Sequence, residues 1–237
     1  MKAAKVRLYV DQPLGEGQSV PVTRDQAHYL FGVMRLGIDE PVLLFNGQAG
    51  EWYAKVVEAG KRGGSLRCVE QTKAQMNPPD VWLLFAPIKK ARTDFIVEKA
   101  AELGVARICP VQTEFTNAER IRRDRLQAHA VEAAEQCGGT YVPQVDDIKK
   151  LSDVLAAWPK DRNLIFCDED LAGEATATLP PAPAAILIGP EGGFSAKERE
   201  RLREVATSIS LGPRILRADT AATSALTLWQ ASRGDWS

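Results

Sequence analysis

ILIGPEGGFS, residues 186–195, and LGPRILRADTAATSAL, residues 211–226, decide how this chain is read. The apolar run that ends at Ile188 has the composition of a strand buried on both faces. Gly189, Gly192 and Gly193 then allow a sharp turn and a close backbone approach to a ligand, the alternative being a plain turn. Ser195 and Glu198 have capping-box spacing, which predicts a helix over 197–205. Strand, glycine turn and helix start together describe a binding loop.

Two familiar loops of this kind fail on spacing. GPEGGFS fits neither the dinucleotide pattern G-x-G-x-x-G nor the phosphate loop G-x-x-x-x-G-K-[ST]. Pro190 also removes a backbone donor that a phosphate cradle would use, and Glu191 puts negative charge where an anion would sit. The loop is better suited to a neutral or cationic ligand with a planar ring, held by backbone carbonyls, a carboxylate and an apolar floor.

Around this loop the chain divides at QTKAQMNPPD, residues 71–80, which is polar and contains two prolines. The first part is predicted as a small β-rich module, 1–73. Thr23 and Gln26 cap a short helix running to Met34, and Asn46-Gly47 turns a hairpin between strands at 42–45 and 51–56. The second part, 80–237, carries apolar strands at 81–86, 107–111, 164–167 and 184–188 with helical patterns between several of them. That alternation is the signature of a parallel α/β sheet, with ligand loops at the strand C-termini.

Composition sets the outer bounds. A chain of 237 residues with 45% hydrophobic content can bury one large core or two modest ones. Arg7 and Asp11 interrupt the N-terminal apolar stretch, and no run approaches the roughly 18 apolar residues of a membrane span, so a cytoplasmic protein is expected. Cys68, Cys109, Cys137 and Cys167 lack C-x-x-C spacing and are expected as buried free thiols; no metal site is expected. His28 and His129 sit in no catalytic pattern. The net charge of −1 argues against indiscriminate coating of nucleic acid, which leaves local clusters to carry any such contact. These are Lys89, Lys90 and Arg92; Arg120, Arg122, Arg123 and Arg125; and Arg214 with Arg217. The second cluster opens a helix whose Leu126, Ala130, Ala133 or Ala134, and Cys137 would face inward, which would leave its arginines solvated.

GPEGGFS followed by LGPRILRADTA resembles the paired C-terminal motifs of the ribosomal small-subunit methyltransferase E family, in the knotted SPOUT superfamily. EKAAELGV at 98–105, EQCG at 135–138, the lysines at 89 and 90, and HYL with VMRL at 28–36 resemble further blocks of that family in the same order. The chain departs from the family pattern at Gly139 and Thr140, at Asp219, and at Thr116-Asn117-Ala118. The resemblance implies a PUA-like RNA-binding barrel followed by a SPOUT domain with a deep trefoil knot. It implies S-adenosylmethionine-dependent methylation of uracil N3 in 16S ribosomal RNA of the small subunit, at the uridine customarily numbered 1498, by a homodimer. Its closest rival is a related SPOUT enzyme acting on another RNA base, and a non-catalytic RNA-binding module stands further off.

In the family's pattern the cofactor would lie against Ile188, Gly189, Pro190, Glu191, Gly192, Gly193, Leu211, Gly212, Leu216, Ala218 and Ala221. A bulky residue at Gly192 would fill the adenosine space, and would add strain if that residue had a positive φ. Arg217 is expected to hold substrate phosphate or developing negative charge, with Glu191 and Asp219 as proton acceptors or cofactor contacts. RNA contacts are expected from Arg35, Lys89, Lys90, Arg92, Arg120 and Arg217.

Overall fold

The computed structural model describes residues 2–117, 121–174 and 178–237. The chain folds into two units, Met1–Asn77 with Ala134–Val142, and Pro78–Ala133 with Pro143–Ser237.

In the first unit, β1 (Arg7–Tyr9), β2 (Ser19–Pro21), β3 (Pro41–Phe45), β4 (Glu51–Ala59) and β5 (Gly64–Lys73) form one sheet in the order β1-β3-β4-β5-β2. Only β1 and β3 run parallel; the other pairs are antiparallel. Three register shifts between β4 and β5 curl the sheet around Leu30, Leu44, Val56 and Leu66, all fully buried. The β3–β4 hairpin is longer than a two-residue Asn-Gly turn: five residues separate Phe45 from its partner Glu51, and the Asn46 side chain accepts from the amides of Gln48 and Ala49.

The Thr23–Gln26 capping box is present and starts α1 (Arg24–Ala27), but the helix then widens into a π-helical turn, His28–Val33. Arg35 ends that turn in the left-handed region, at φ 55°, so the Leu36 amide reaches the Leu30 carbonyl and Leu36 tucks into the core.

Arg7 and Glu51 form an ion pair of 2.6 Å with the carboxylate 2% exposed, and Thr72 adds a 2.8 Å hydrogen bond. The other Arg7 amines donate to the carbonyls of Ala134 and Gly139, both at 2.6 Å. Burial alone would raise the Glu51 carboxyl, yet the bonds from Arg7 and Thr72 outweigh it and hold it below the usual range. The stability this contributes is present above the unfolded carboxylate range and is lost as pH falls through the depressed value. Glu51→Ala leaves Arg7 buried without its counter-charge, so it is expected to cost about 3–5 kcal/mol in thermal or urea unfolding. A loss under about 1 kcal/mol would show that the pair is as weak as an exposed one.

In the second unit seven parallel strands form one sheet. These are β6 (Val81–Phe85), β7 (Arg107–Gln112), β8 (Gln144–Val145), β9 (Lys149–Lys150), β10 (Asn163–Cys167), β11 (Ala184–Ile188) and β12 (Thr207–Ile209). The order is β12-β10-β11-β6-β7-β8, with β9 also paired to β7. Every residue of β11 is buried, as its apolar run predicts. The helices are α2 (Lys90–Glu102), α3 (Arg123–Cys137, whose last turn counts with the first unit), α4 (Leu151–Ala156), α5 (Ala196–Val205) and α6 (Ala218–Arg233).

The ELGV block closes α2. Gly104, at φ +71°, takes the left-handed turn after the Leu103 cap, and the fully buried Gln230 of α6 donates to the carbonyls of Leu103 and Gly104 at 2.6 and 3.2 Å.

Leu126, Ala130, Ala133 and Ala134 of α3 are buried as expected, but the arginines ahead of them are not all solvated. Arg125 is half-buried and pairs with Asp94 at 2.7 Å; Arg122 and Arg123 are exposed, Arg123 with a hydrogen bond to the Val145 carbonyl, and Arg120 lies outside the described residues.

The expectation of four buried thiols also needs correction, because Cys137 is exposed and Cys109 half-buried. Burial raises the thiol of Cys68 above its usual range and pushes those of Cys109 and Cys167 up to about 12. Brief treatment of the native protein with iodoacetamide near neutral pH should therefore modify Cys137 alone. Equal labelling of Cys167 would mean that its site opens.

Candidate functional site

The C-terminal ends of β10, β11 and β12 lie side by side, and the start of α6 meets them around a cavity of about 370 Å³. This is where an open parallel sheet places a ligand, outside the carboxyl ends of its strands. The last residue of β11, Ile188, and the loop after it contribute residues 188–193, and the loop from β12 to α6 contributes Leu211, Gly212 and residues 214–217. Ala218 and Ala221 present small apolar surface from the first turn of α6. Residues 186–195 and 211–226 thus meet across one cavity although fifteen residues separate them in sequence.

The three glycines of the β11 loop do different work. A Cβ at Gly189 would stand 2.5 Å from the ring of Phe194, which is buried and packed edge-on against Phe166 at 5.1 Å. Gly193 carries the positive φ, +69°. Gly192 does not; the nearest atom to a Cβ there is the Phe115 Cβ at 3.4 Å, so a side chain would have room. The strain expected at Gly192 therefore belongs to Gly193, and Gly192 is the position from which a side chain could grow with little hindrance. The Ser195–Glu198 capping box is present and starts α5 at Ala196. Glu198 also accepts from the Glu114 amide at 2.9 Å, tying the 113–116 turn to the loop.

An acidic wall that the motifs do not announce closes the β10 side. Cys167, Asp168, Glu169 and Ala172 all line the cavity. The Asp168 carboxylate is fully buried, paired with Arg199 and, at 2.7 Å, with Arg203; Glu169 binds Arg199 at 2.6 Å. Burial opposes charge on Arg199, but Glu169 and Asp168 outweigh it and keep the guanidinium firmly protonated. These bonds lock the end of β10 to α5, and so set the spacing between the acidic wall and the glycine loop. Ile209, Arg214 and Ile215 are further lining residues absent from the expected set.

Of the three residues expected to do chemistry, two line the cavity. Glu191 is exposed and makes no ion pair among the described residues. Arg217 is the cap residue of α6; its side chain is 65% exposed and makes no capping bond. Asp219 does not line the cavity. Its oxygens accept from Arg92 at 3.3 Å and from the Thr220 amide at 2.9 Å, and one lies 3.8 Å from Arg217. Asp219 thus ties Arg92, in the first turn of α2 that Lys89 and Lys90 begin, to the start of α6 beside Arg217; Lys89 and Lys90 are exposed. Arg35 is exposed and belongs to the first unit. No cluster of histidine, cysteine or carboxylates that could hold a metal occurs among the described residues, and no helix there is long and apolar enough to cross a membrane.

The chain is similar to known proteins. A family profile described as RNA methyltransferase domain matches residues 75–230, and one described as RNA methyltransferase PUA domain matches residues 22–67. A ribosomal RNA small subunit methyltransferase E of Rickettsia conorii is 31% identical over 93% of each chain. The protein of the same name from Buchnera aphidicola, subspecies Acyrthosiphon pisum, is 26% identical over 97% of this chain and 94% of its own. Among solved structures, a ribosomal RNA small subunit methyltransferase E from Neisseria gonorrhoeae bound to S-adenosyl methionine superposes with a TM-score of 0.87 at 27% identity, covering 98% of this chain and 99% of that one.

Proposed function

The chain belongs to the ribosomal RNA small subunit methyltransferase E family, and from that premise we propose that it methylates N3 of a uracil in 16S ribosomal RNA of the small subunit, using S-adenosylmethionine. The observation that carries this reading is the cavity at the ends of β10, β11 and β12, formed by both C-terminal motifs. The fit is chemical as well as spatial. Ile188, Ile209 and Leu211 give an apolar floor for a planar base, Glu191 and the partly exposed Glu169 favour hydroxyls and a cationic group, and Pro190 removes an amide that an anion would want. Bound there, S-adenosylmethionine would supply a methyl group already activated by its sulfonium. The residues that would hold it are Ile188, Gly189, Pro190, Glu191, Gly192, Gly193, Leu211, Gly212, Leu216, Ala218 and Ala221.

The remaining chemistry falls to side chains at the mouth. Uracil N3 bears a proton at neutral pH and becomes a good nucleophile only as that proton leaves. Glu191, which lines the cavity and has no ion pair among the described residues, is better placed to accept it than Asp219, whose oxygens are engaged with Arg92 and the Thr220 amide. Arg217 would face the negative charge that gathers on the uracil oxygens, where a planar guanidinium can donate twice. Orienting the base can itself supply several kcal/mol of the barrier. Arg92, which shares Asp219 with Arg217, and Lys89 and Lys90 at the start of the same helix would take RNA phosphates; Arg35 of the first unit is proposed for the same task.

The finer architecture follows the family: residues 1–73 as a PUA-like RNA-binding domain, residues 80–237 as a SPOUT domain whose C-terminal segment threads a trefoil knot, and a cytoplasmic homodimer as the active form. The test is transfer of labelled methyl from S-adenosylmethionine to small subunits lacking the modification. Label in 16S RNA supports the proposal; cofactor binding without transfer to any RNA would reduce the chain to a binding module.

A further inference from the structure

A second cavity, of about 460 Å³, shares no lining residue with the cofactor cavity and is bordered by Thr113 and Glu114 of the 113–116 turn. The turn touches both: Phe115 stands against Gly192 of the first, and the Glu114 amide binds Glu198, which lines the second. The floor is Leu151 and Leu155 of α4, and the rim carries Lys150, Lys197 and Arg201. Lys150 and Lys197 are exposed and have no ion-pair partner among the described residues; Arg201 has only an exposed contact to Glu204 at 2.8 Å, of a kind worth little. Two carboxylates oppose them. Glu198 is already engaged by its own capping box and by the Glu114 amide, which leaves Glu114 as the free negative charge. None of these cations belongs to the clusters at 89–92, 120–125 or 214–217.

Three cations above an apolar floor match a nucleotide, whose phosphate takes the charges while its base covers leucine side chains. We propose that this cavity holds a nucleotide flanking the methylated uridine, with Lys150, Lys197 and Arg201 binding RNA phosphate. The proposal rests on the RNA-methylating reading of the neighbouring cavity, whose glycine loop shares the 113–116 turn with this one.

The test is the triple variant Lys150→Ala, Lys197→Ala, Arg201→Ala, with Lys197→Glu as a single reversal. Three measurements are needed: affinity for a naked 16S RNA fragment across a salt series, KM for small subunits, and S-adenosylmethionine affinity. The triple variant should bind RNA about tenfold or more weakly near physiological salt, and the slope of log affinity against log salt should shrink by about one, the change for the one phosphate that the three cations neutralise together. The KM for subunits should rise in step, while cofactor affinity and melting temperature stay at wild-type values. Unchanged RNA affinity and salt slope in both variants would overturn the proposal. So would a weakened interaction with whole subunits alone, naked RNA binding being intact, because an acidic ribosomal protein would then be the partner. Methylation by the wild-type protein is scored separately: its failure refutes the enzyme reading, whereas the site stands or falls on the difference in RNA binding between wild type and variants.

Discussion

Arg217→Ala should lower single-turnover methylation by about 100-fold while leaving S-adenosylmethionine affinity within about twofold, the scale seen when one charge-stabilising donor is removed. The structure separates the side chain from the scaffold. The Arg217 carbonyl accepts from the Ala221 amide at 2.7 Å and so starts α6, a bond that alanine retains. The side chain itself is mostly exposed, makes no cap, and has Asp219 as its nearest acid at 3.8 Å, too long to brace a loop strongly. Arg217→Lys should recover little, since a point charge cannot reproduce a planar pair of donors. If the residue serves only to hold the loop, the alanine variant should instead lose cofactor affinity and melting temperature together. Normal turnover would remove Arg217 from the reaction.

Gly192→Val and Gly189→Ala should both abolish or severely weaken cofactor binding, for different reasons that one thermal measurement separates. At Gly192 the φ is not in the left-handed region and the nearest neighbour to a Cβ belongs to an exposed residue, so the variant should melt close to wild type while adding bulk at a cavity-lining position. At Gly189 a Cβ would drive into Phe194, a ring buried against Phe166, so the variant should lose about 1–3 kcal/mol of stability as an overpacked core does. Its loop should shift with that ring. A Gly192→Val protein stabilised by S-adenosylmethionine as much as wild type would take this loop out of the site.

How much of this was legible depended on whether local signals agreed. Residues 184–205 were read to within a residue because three independent cues coincide there: a strand of five buried residues, turn glycines, and a capping box that the structure forms in full. The same holds for Thr23 and Gln26, but only as far as the helix start; nothing in HYLFGV marks a π-helical turn, which the left-handed Arg35 completes. The glycines could be named as a group, yet which one carries the positive φ and which one meets a ring are tertiary facts, decided by Phe194 and by the path of the loop.

The acidic wall was missed because CDED, residues 167–170, looks like a solvated charge run. Its signal was its position, directly after the apolar LIF of β10 in a parallel sheet, where ligand-facing residues collect. Thr207–Ile209 is three residues long, too short for any alternation to show. Asp219 could be tied to the site by motif but not oriented, since only packing of α2 on α6 brings Arg92 to it.

The central claim, methyl transfer to uracil N3 of small-subunit RNA, is tested most directly by nuclease digestion and mass spectrometry of 16S RNA from subunits treated with the protein and isotopically labelled S-adenosylmethionine. The account predicts a single labelled nucleoside with the chromatographic behaviour of N3-methyluridine, formed by wild type and nearly absent with Arg217→Ala. Label on ribose, or on a base other than uracil, would contradict it.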